Sequence, residues 1–408
     1  MLIKEFETFV VGNPPPRFGG RYFIFVKLVT DTGITGYGEV YCATFSAATV
    51  EAMLRDTAER YVVGHDPFRI ETLWRRVYGA GYNLRPDVSL VSVLSALEMA
   101  CWDIVGKACD KPAYELLGGK VHERLRTYTY LYPQSGDVYP DGDDPDHIYV
   151  NPDRAAERAL DYVAMGFTAI KFDPAGPYTV FDGGMPSGQE LERSVAFMRS
   201  IRDAVGGGVD LLFGTHGQFS TAGAIRLARQ IEPYDPLWFE EPVPPDSTVQ
   251  MARVARATSI PIATGERLCT KYEFARVLED QAAAILQLNL GRVGGLLEAK
   301  KIASMAEVYS AQIAPHLYCG PVVGAANIQL ATCTPNFLIL EGIETWGGFH
   351  ADLLETPIQW EEGYVIPSSE PGLGISLNEA VARANPYSGD ELHLEMGADL
   401  QRGARAPD

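Results

Sequence analysis

Glu240 and Glu266 are the first residues to ask about. Glu240 closes the run Leu237-Trp238-Phe239 and precedes Glu241-Pro242, and Glu266 follows Thr264-Gly265. Two carboxylates at the ends of adjacent short apolar segments would form an oxygen-rich concavity suited to a hard divalent cation such as Mg²⁺. Otherwise each caps the following helix or pairs with a cation such as Arg267. His216 lies in Gly214-Thr215-His216-Gly217-Gln218 and His316 in Ala314-Pro315-His316-Leu317, two of only seven histidines in the chain. Imidazoles move protons near neutral pH; failing that, they serve as hydrogen-bonded clamps. Lys171 ends Ala169-Ile170-Lys171 and could be a base, a ligand for a substrate carboxylate, or the salt-bridge partner of a metal-site glutamate. Glu341 could donate a hydrogen bond to a developing enolate if protonated, or cap a helix. The other histidines (His65, His122, His147, His350 and His393) read as loop or surface residues.

The elements that must position these groups follow from the hydrophobic pattern. From Arg126 onward, short apolar runs alternate with amphipathic stretches. Strands are expected at Arg126–Tyr130, Ala169–Phe172, Asp210–Phe213, Leu237–Phe239, Pro261–Thr264, Ala284–Leu288, Gln312–Ala314 and Phe337–Leu340, with helices between them. Eight such repeats give the fold class α/β and the architecture of a parallel (β/α)8 barrel of TIM type. An open doubly wound sheet would need a glycine-rich phosphate loop after its first strand, and none is present. Gly214, Glu240, Glu266, Asn289, His316 and Glu341 are separated by 26, 26, 23, 27 and 25 residues. Each step is one βα unit, so all six fall at the C-terminal mouth of one barrel, where the loops that carry chemistry gather.

Before the barrel, residues 1–120 read as an α+β capping domain. Leu2–Val10, Arg21–Val29 and Ile34–Val40 look like strands, the last two joined by Thr30-Asp31-Thr32-Gly33. Helical periodicity follows in Ser46–Tyr61, Pro67–Tyr78, Leu90–Lys107 and Pro112–Leu116. The Gly118-Gly119 pair sets the boundary, leaving 121–344 for the barrel and a segment, 345–408, expected to pack near the cap.

Composition narrows the function. The 408 residues carry 53 acidic and 34 basic side chains, a formal charge of −19. That balance repels phosphate backbones and anionic lipid, so neither nucleic acid nor membrane is an expected partner. Hydrophobic residues make up 46 % and charged residues 21 %, ordinary globular proportions. Six cysteines without a CxxC pair suit a reducing cytoplasm and argue against structural zinc. Leu2–Val11 carries Lys4, Glu5 and Glu7 and does not read as a signal peptide, and no uninterrupted apolar run reaches a membrane span.

The ordered set Trp102-Asp103-Ile104-Val105-Gly106-Lys107, Trp238-Phe239-Glu240-Glu241-Pro242, Gly265-Glu266-Arg267, Gly294-Gly295 and Ala314-Pro315-His316 resembles the enolase superfamily, over nearly the whole chain. Within it the sequence is most similar to the acid-sugar dehydratases of mandelate-racemase type. The resemblance implies a lyase that uses Mg²⁺ and abstracts the proton α to a sugar-acid carboxylate. His316 would take the C2 proton and His216 would protonate the departing C3 hydroxyl, leaving an enol that becomes a 2-keto-3-deoxy acid. Glu240 and Glu266 would hold the metal, Glu341 would be the electrophilic glutamate, and a homo-oligomer is expected. A racemase, epimerase or cycloisomerase would begin with the same proton abstraction, and a sugar-acid-binding relative would lack the chemistry altogether.

Two positions depart from the family pattern. Gly214 stands where most relatives carry the first metal-binding carboxylate, and Asp210 lies four residues earlier inside the strand. Asn289 stands where relatives often place an aspartate that orients the histidine base; an amide can orient the ring but cannot raise its basicity through charge. Around the mouth, the loop Gly12–Arg21 offers Arg17 and Arg21 to a substrate carboxylate. Two longer insertions, Tyr132–Asn151 and Pro174–Ser187, could be lids, subunit contacts or plain solvated loops.

Overall fold

A computed structural model of the chain describes residues 1–134, 136, 146–173 and 183–394. The cap begins with an antiparallel sheet of β1 (Ile3–Gly12), β2 (Tyr22–Thr30) and β3 (Thr35–Val40), in that spatial order. One face of this sheet is covered by the helix Val88–Cys109. Asp87 caps the helix by accepting from the N–H groups of Ser89 and Leu90, and Asp110 ends it in the left-handed conformation. The helix is long and apolar enough to cross a membrane, but most of it is buried between the cap sheet and the barrel. Gly36 and Gly38 permit the close approach. A Cβ built on Gly38 would lie 1.9 Å from the carbonyl oxygen of Ala96, and one on Gly36 would lie 2.2 Å from that of Ala100. Backbone cannot yield there as a side chain can. Gly38→Ala is therefore expected to destabilise the fold by about 3 kcal/mol, read as a lower midpoint in a denaturant titration.

Eight parallel strands follow: β4 (Leu125–Tyr130), β5 (Ala169–Phe172), β6 (Asp210–Gly214), β7 (Trp238–Glu240), β8 (Ile262–Thr264), β9 (Ile285–Leu286), β10 (Gln312–Ile313) and β11 (Leu340–Gly342). Consecutive strands pair from β4 to β10, and β11 returns to β4 with Glu341 opposite Tyr128. A single bridge between Ile313 and Phe337 carries the step from β10 towards β11. The structure is thus a closed (β/α)8 barrel under an α+β cap. The interior is a separate apolar cluster to which Tyr128, Leu212, Trp238, Ile285, Ala314 and Ile339 contribute. It is a packed plug, so side chains further along the strands are held at the mouth.

A short hairpin, β12 (Trp360–Glu361) and β13 (Tyr364–Val365), pairs antiparallel with the start of β4. The chain then returns to the cap, where Glu379 of the helix Glu379–Ala384 accepts from Lys27 Nζ at 2.5 Å and Tyr37 Oη at 2.8 Å. Two buried glutamates join cap to barrel. Glu39 accepts from the N–H groups of Gly320 (2.5 Å) and Val323 (2.9 Å) at the start of the helix Pro321–Thr332. Glu98 does the same for Leu296 (2.7 Å) and Leu297 (2.9 Å) at the start of Gly295–Val308. A carboxylate at a helix N-terminus satisfies otherwise orphaned donors and favours the helix dipole.

Several boundaries move from the sequence reading. The last barrel strand starts at Leu340 rather than Phe337, because Phe337–Ile339 make only an isolated bridge before the ladder to β4 begins. The helix expected from Pro67 starts at Ile70, and that expected over Ser46–Tyr61 changes at Thr57 into the wider turn Ala58–Val62. His65, His350 and His393 are buried, not surface residues. The acidic stretch Asp137–Asp144, part of Pro174–Ser187 and the end of the 345–408 segment lie outside the described residues.

Candidate active site

Strand alternation explains which side chains reach the mouth. Residues two apart along extended backbone face the same side, so Lys171 and Asp173 project together from the end of β5, Trp238 and Glu240 from β7, and Gln287 and Asn289 from the segment just after β9. Lys171 Nζ lies 2.6 Å from Glu240 Oε1 and 3.6 Å from Glu341 Oε1. The other Glu240 oxygen, Oε2, accepts from Gln287 Nε2 at 2.6 Å and Trp238 Nε1 at 3.0 Å. Glu341 Oε2 accepts from the Leu317 N–H at 2.8 Å. Of the roles open to Lys171, the geometry displays the salt-bridge partner.

Glu266 stands between the two histidines. Its Oε1 is 3.7 Å from His216 Nε2 and its Oε2 is 3.3 Å from His316 Nε2. His216, at φ 48°, turns its other nitrogen to Asp173, with Nδ1 2.5 Å from Oδ2. His316 Nδ1 is 2.9 Å from Asn289 Nδ2. The amide orientation is settled by the Gly291 N–H, which donates to Asn289 Oδ1 at 2.9 Å. Asn289 therefore donates to Nδ1, and a neutral His316 ring carries its proton on Nε2, towards Glu266. Beyond His316 stands Tyr41, with Arg292 stacked on it at 4.3 Å; Arg292 Nη1 also donates to the Glu266 carbonyl at 3.0 Å.

The electrostatics separate the two imidazoles. Burial lowers the pKa of His316 to about 3, only partly opposed by Glu266, so the ring is neutral. Burial disfavours charge on His216 as well, but Asp173 and Glu266 overcome it and raise the pKa to about 9. Burial raises the Glu266 carboxyl, yet the cationic groups around it, His216, Lys171 and Arg267, hold the group ionised. Lys171 is desolvated too, but Glu240 and Glu341 keep it charged, which disqualifies it as a resting base. Desolvation pushes Glu341 up, towards the protonated form that could donate to an enolate.

The donor chemistry fits a hard divalent cation. Asp173, Glu240, Glu241, Glu266 and Glu341 are all buried carboxylates, facing three permanently cationic groups, Lys171, Arg267 and Arg292. A buried carboxylate oxygen is costly unless something compensates it. Asp173 Oδ1 and Glu266 Oε2 are moreover buried with no hydrogen-bond partner among the described residues; the approach of His316 to Glu266 is too poorly aligned to count. Among the described residues no three His, Cys, Asp or Glu side chains already surround a common point, so an ion would draw them together from these positions.

Residues 18–118 match the model of the mandelate racemase/muconate lactonizing enzyme N-terminal domain, and residues 154–381 match that of the enolase C-terminal domain-like family. The chain belongs to the mandelate racemase/muconate lactonizing enzyme family of the enolase superfamily. Among curated relatives, D-galactonate dehydratase of Ralstonia nicotianae is 37 % identical over 375 residues, covering 90 % of each chain. The enzyme of the same name from Xanthomonas campestris pv. campestris is 36 % identical, over 89 % of this chain and 91 % of its own. Among solved structures, a protein of mandelate racemase/muconate lactonizing enzyme type from Labrenzia alexandrii DFL-11 superposes with a TM-score of 0.93 at 66 % identity, covering 97 % of this chain and 98 % of that one. One from Burkholderia SAR-1 gives 0.93 at 58 % identity, covering 98 % and 99 %.

Within this family frame, the structure gathers Lys171, His216, Glu240, Glu266, Asn289, His316 and Glu341 at one mouth. Arg21 Nη1 donates to the Leu392 carbonyl at 3.2 Å, next to His393, whose ring contacts Tyr41 as His316 does. Arg17 sits in the tight loop before β2, its N–H donating to the Pro14 carbonyl. Sequence reading missed Asp173 and Gln287. The signal for both was the two-residue alternation, Asp173 sharing a face with Lys171 and Gln287 with Asn289.

Proposed function

We propose that this protein dehydrates a sugar acid, an aldonate or aldarate, to the 2-keto-3-deoxy acid. The observation that carries the reading is the pair of imidazoles reaching opposite oxygens of Glu266, at 3.3 and 3.7 Å, so that both border one space. Dehydration across C2–C3 needs a base at one carbon and an acid at its neighbour. His316, buried and neutral, takes the C2 proton. His216, kept charged by Asp173, gives its Nε2 proton to the C3 hydroxyl as that group leaves as water. The resulting enol tautomerises to the ketone. Lys171 and Glu341 face the carboxylate end of the enediolate, where positive charge and a hydrogen-bond donor stabilise developing negative charge.

Glu240 and Glu266 are the residues that would hold Mg²⁺, which when bound lowers the energy of the enediolate as a Lewis acid. The names of the curated relatives support an aldonate as the first substrate class to try.

The test is incubation with a panel of aldonates and aldarates in deuterated water, with Mg²⁺ supplied, followed by mass spectrometry. The expected product has lost one water and responds to a 2-keto acid reagent. Recovery of the substrate with one deuterium and no water loss would make the enzyme an epimerase or racemase instead. Binding without exchange or water loss on any member would leave only a sugar-acid-binding protein.

A further inference from the structure

We propose that Asp173 supplies the metal-binding carboxylate that the end of β6 lacks, reaching across Gly214 to complete a set with Glu240 and Glu266. The inference rests on the reading of the site as a Mg²⁺ centre. Its first support is register. Phe172 pairs with Phe213, and Gly214 pairs with Glu240. Asp173, the residue after β5, therefore follows the level of Gly214 and Glu240 at the ends of β6 and β7, with a residue lacking a side chain in the middle.

The second support is space. A Cβ added to Gly214 would lie 3.4 Å from Asp173 Oδ2, 3.6 Å from its Cγ and 3.5 Å from Lys171 Cε. The Asp173 carboxyl and the Lys171 stem thus fill the volume into which a side chain at 214 would project. Lys171 in turn touches Glu240 at 2.6 Å, so position 214 borders Asp173 on one side and the Lys171–Glu240 pair on the other.

The third support is an unmet valence. Asp173 is only 8 % exposed; its Oδ2 is taken by His216, and its Oδ1 has no hydrogen-bond partner among the described residues. A buried carboxylate oxygen left bare costs free energy unless something else binds it. A hard cation needs such an oxygen and accepts water at its remaining positions. One carboxylate can do both tasks, with Oδ2 orienting His216 and Oδ1 on the ion.

Metal binding and turnover can be separated experimentally. Mn²⁺ serves as the probe, with binding followed by its electron paramagnetic resonance signal and folding checked by circular dichroism. Asp173→Asn is expected to weaken Mn²⁺ binding at least about a hundredfold, beyond the loss typical of residues that only support a ligand. Transplanting the carboxylate, in Asp173→Ala combined with Gly214→Asp, is expected to recover most of the affinity. Gly214 is not in the left-handed region, so the new side chain costs no backbone strain. Unchanged Mn²⁺ affinity in Asp173→Asn, even with activity lost, would overturn the proposal and leave Asp173 as a positioning residue for His216. A double variant no tighter than Asp173→Ala alone would count against it as well. If the wild-type enzyme itself bound no Mn²⁺, the metal reading would fall, and this inference with it.

Discussion

Replacing His316 by asparagine is expected to abolish exchange of the substrate α-proton with solvent deuterium and to lower turnover about a thousandfold or more, with the fold unchanged. The ring is buried, and its contacts are ones an amide can partly reproduce: Asn289 Nδ2 at Nδ1, and the His316 carbonyl held by Asn327 Nδ2 at 3.0 Å. What the amide cannot do is accept a proton. Asn289 sets the conditions under which His316 works. Because its amide donates to Nδ1, the neutral ring must relinquish that hydrogen bond before Nε2 can present a lone pair, at a cost of about 1 kcal/mol. An aspartate at 289 would favour the opposite tautomer. The cost is small beside the barrier an enzyme removes, but it makes the base weaker than one backed by a carboxylate. Deuterium incorporation into recovered substrate, followed by mass spectrometry, is the measurement. Retained exchange would move the base to His216, the other imidazole on Glu266; Lys171 is unsuited, since Glu240 and Glu341 keep it charged.

Glu266→Gln is expected to lose metal affinity and turnover together, each by more than about a hundredfold. The exchange is nearly isosteric, so packing survives. The charge does not, and among the described residues Glu266 is the one carboxylate approached by both imidazoles. The effect should therefore reach beyond the metal: His216 loses one of the two anions that favour its protonated form, and its capacity to deliver a proton to the leaving hydroxyl falls with it. Mn²⁺ titration and steady-state rates on the same preparation check both halves. Wild-type activity that persists in excess chelator would remove the metal from the scheme and leave Glu266 as a purely electrostatic partner of the histidines.

Some of the molecule was legible before any coordinates. Alternating apolar runs and amphipathic stretches announced the barrel, because a strand buried on both faces and a helix covering it differ in local periodicity. The steps from Gly214 to Glu341 located the mouth, since one βα unit consumes a narrow range of residues. The loss of a carboxylate at 214 and its replacement by an amide at 289 were equally plain, because each is a property of one position.

Other features depend on which strands lie side by side. That Asp173 fills the volume beside Gly214, that Glu240 is held by Lys171, Trp238 and Gln287, and that Asp173 backs His216 while Asn289 backs His316 all require barrel closure and register. The same holds for Glu39 and Glu98, which cap barrel helices about two hundred or more residues away in the chain. The amino-acid sequence alone determined the periodicities and the residue types at each strand end, since those rest on neighbours along the chain. The tertiary structure decided the partners of each charged group, because burial and Coulomb interactions act through space and do not register distance in sequence.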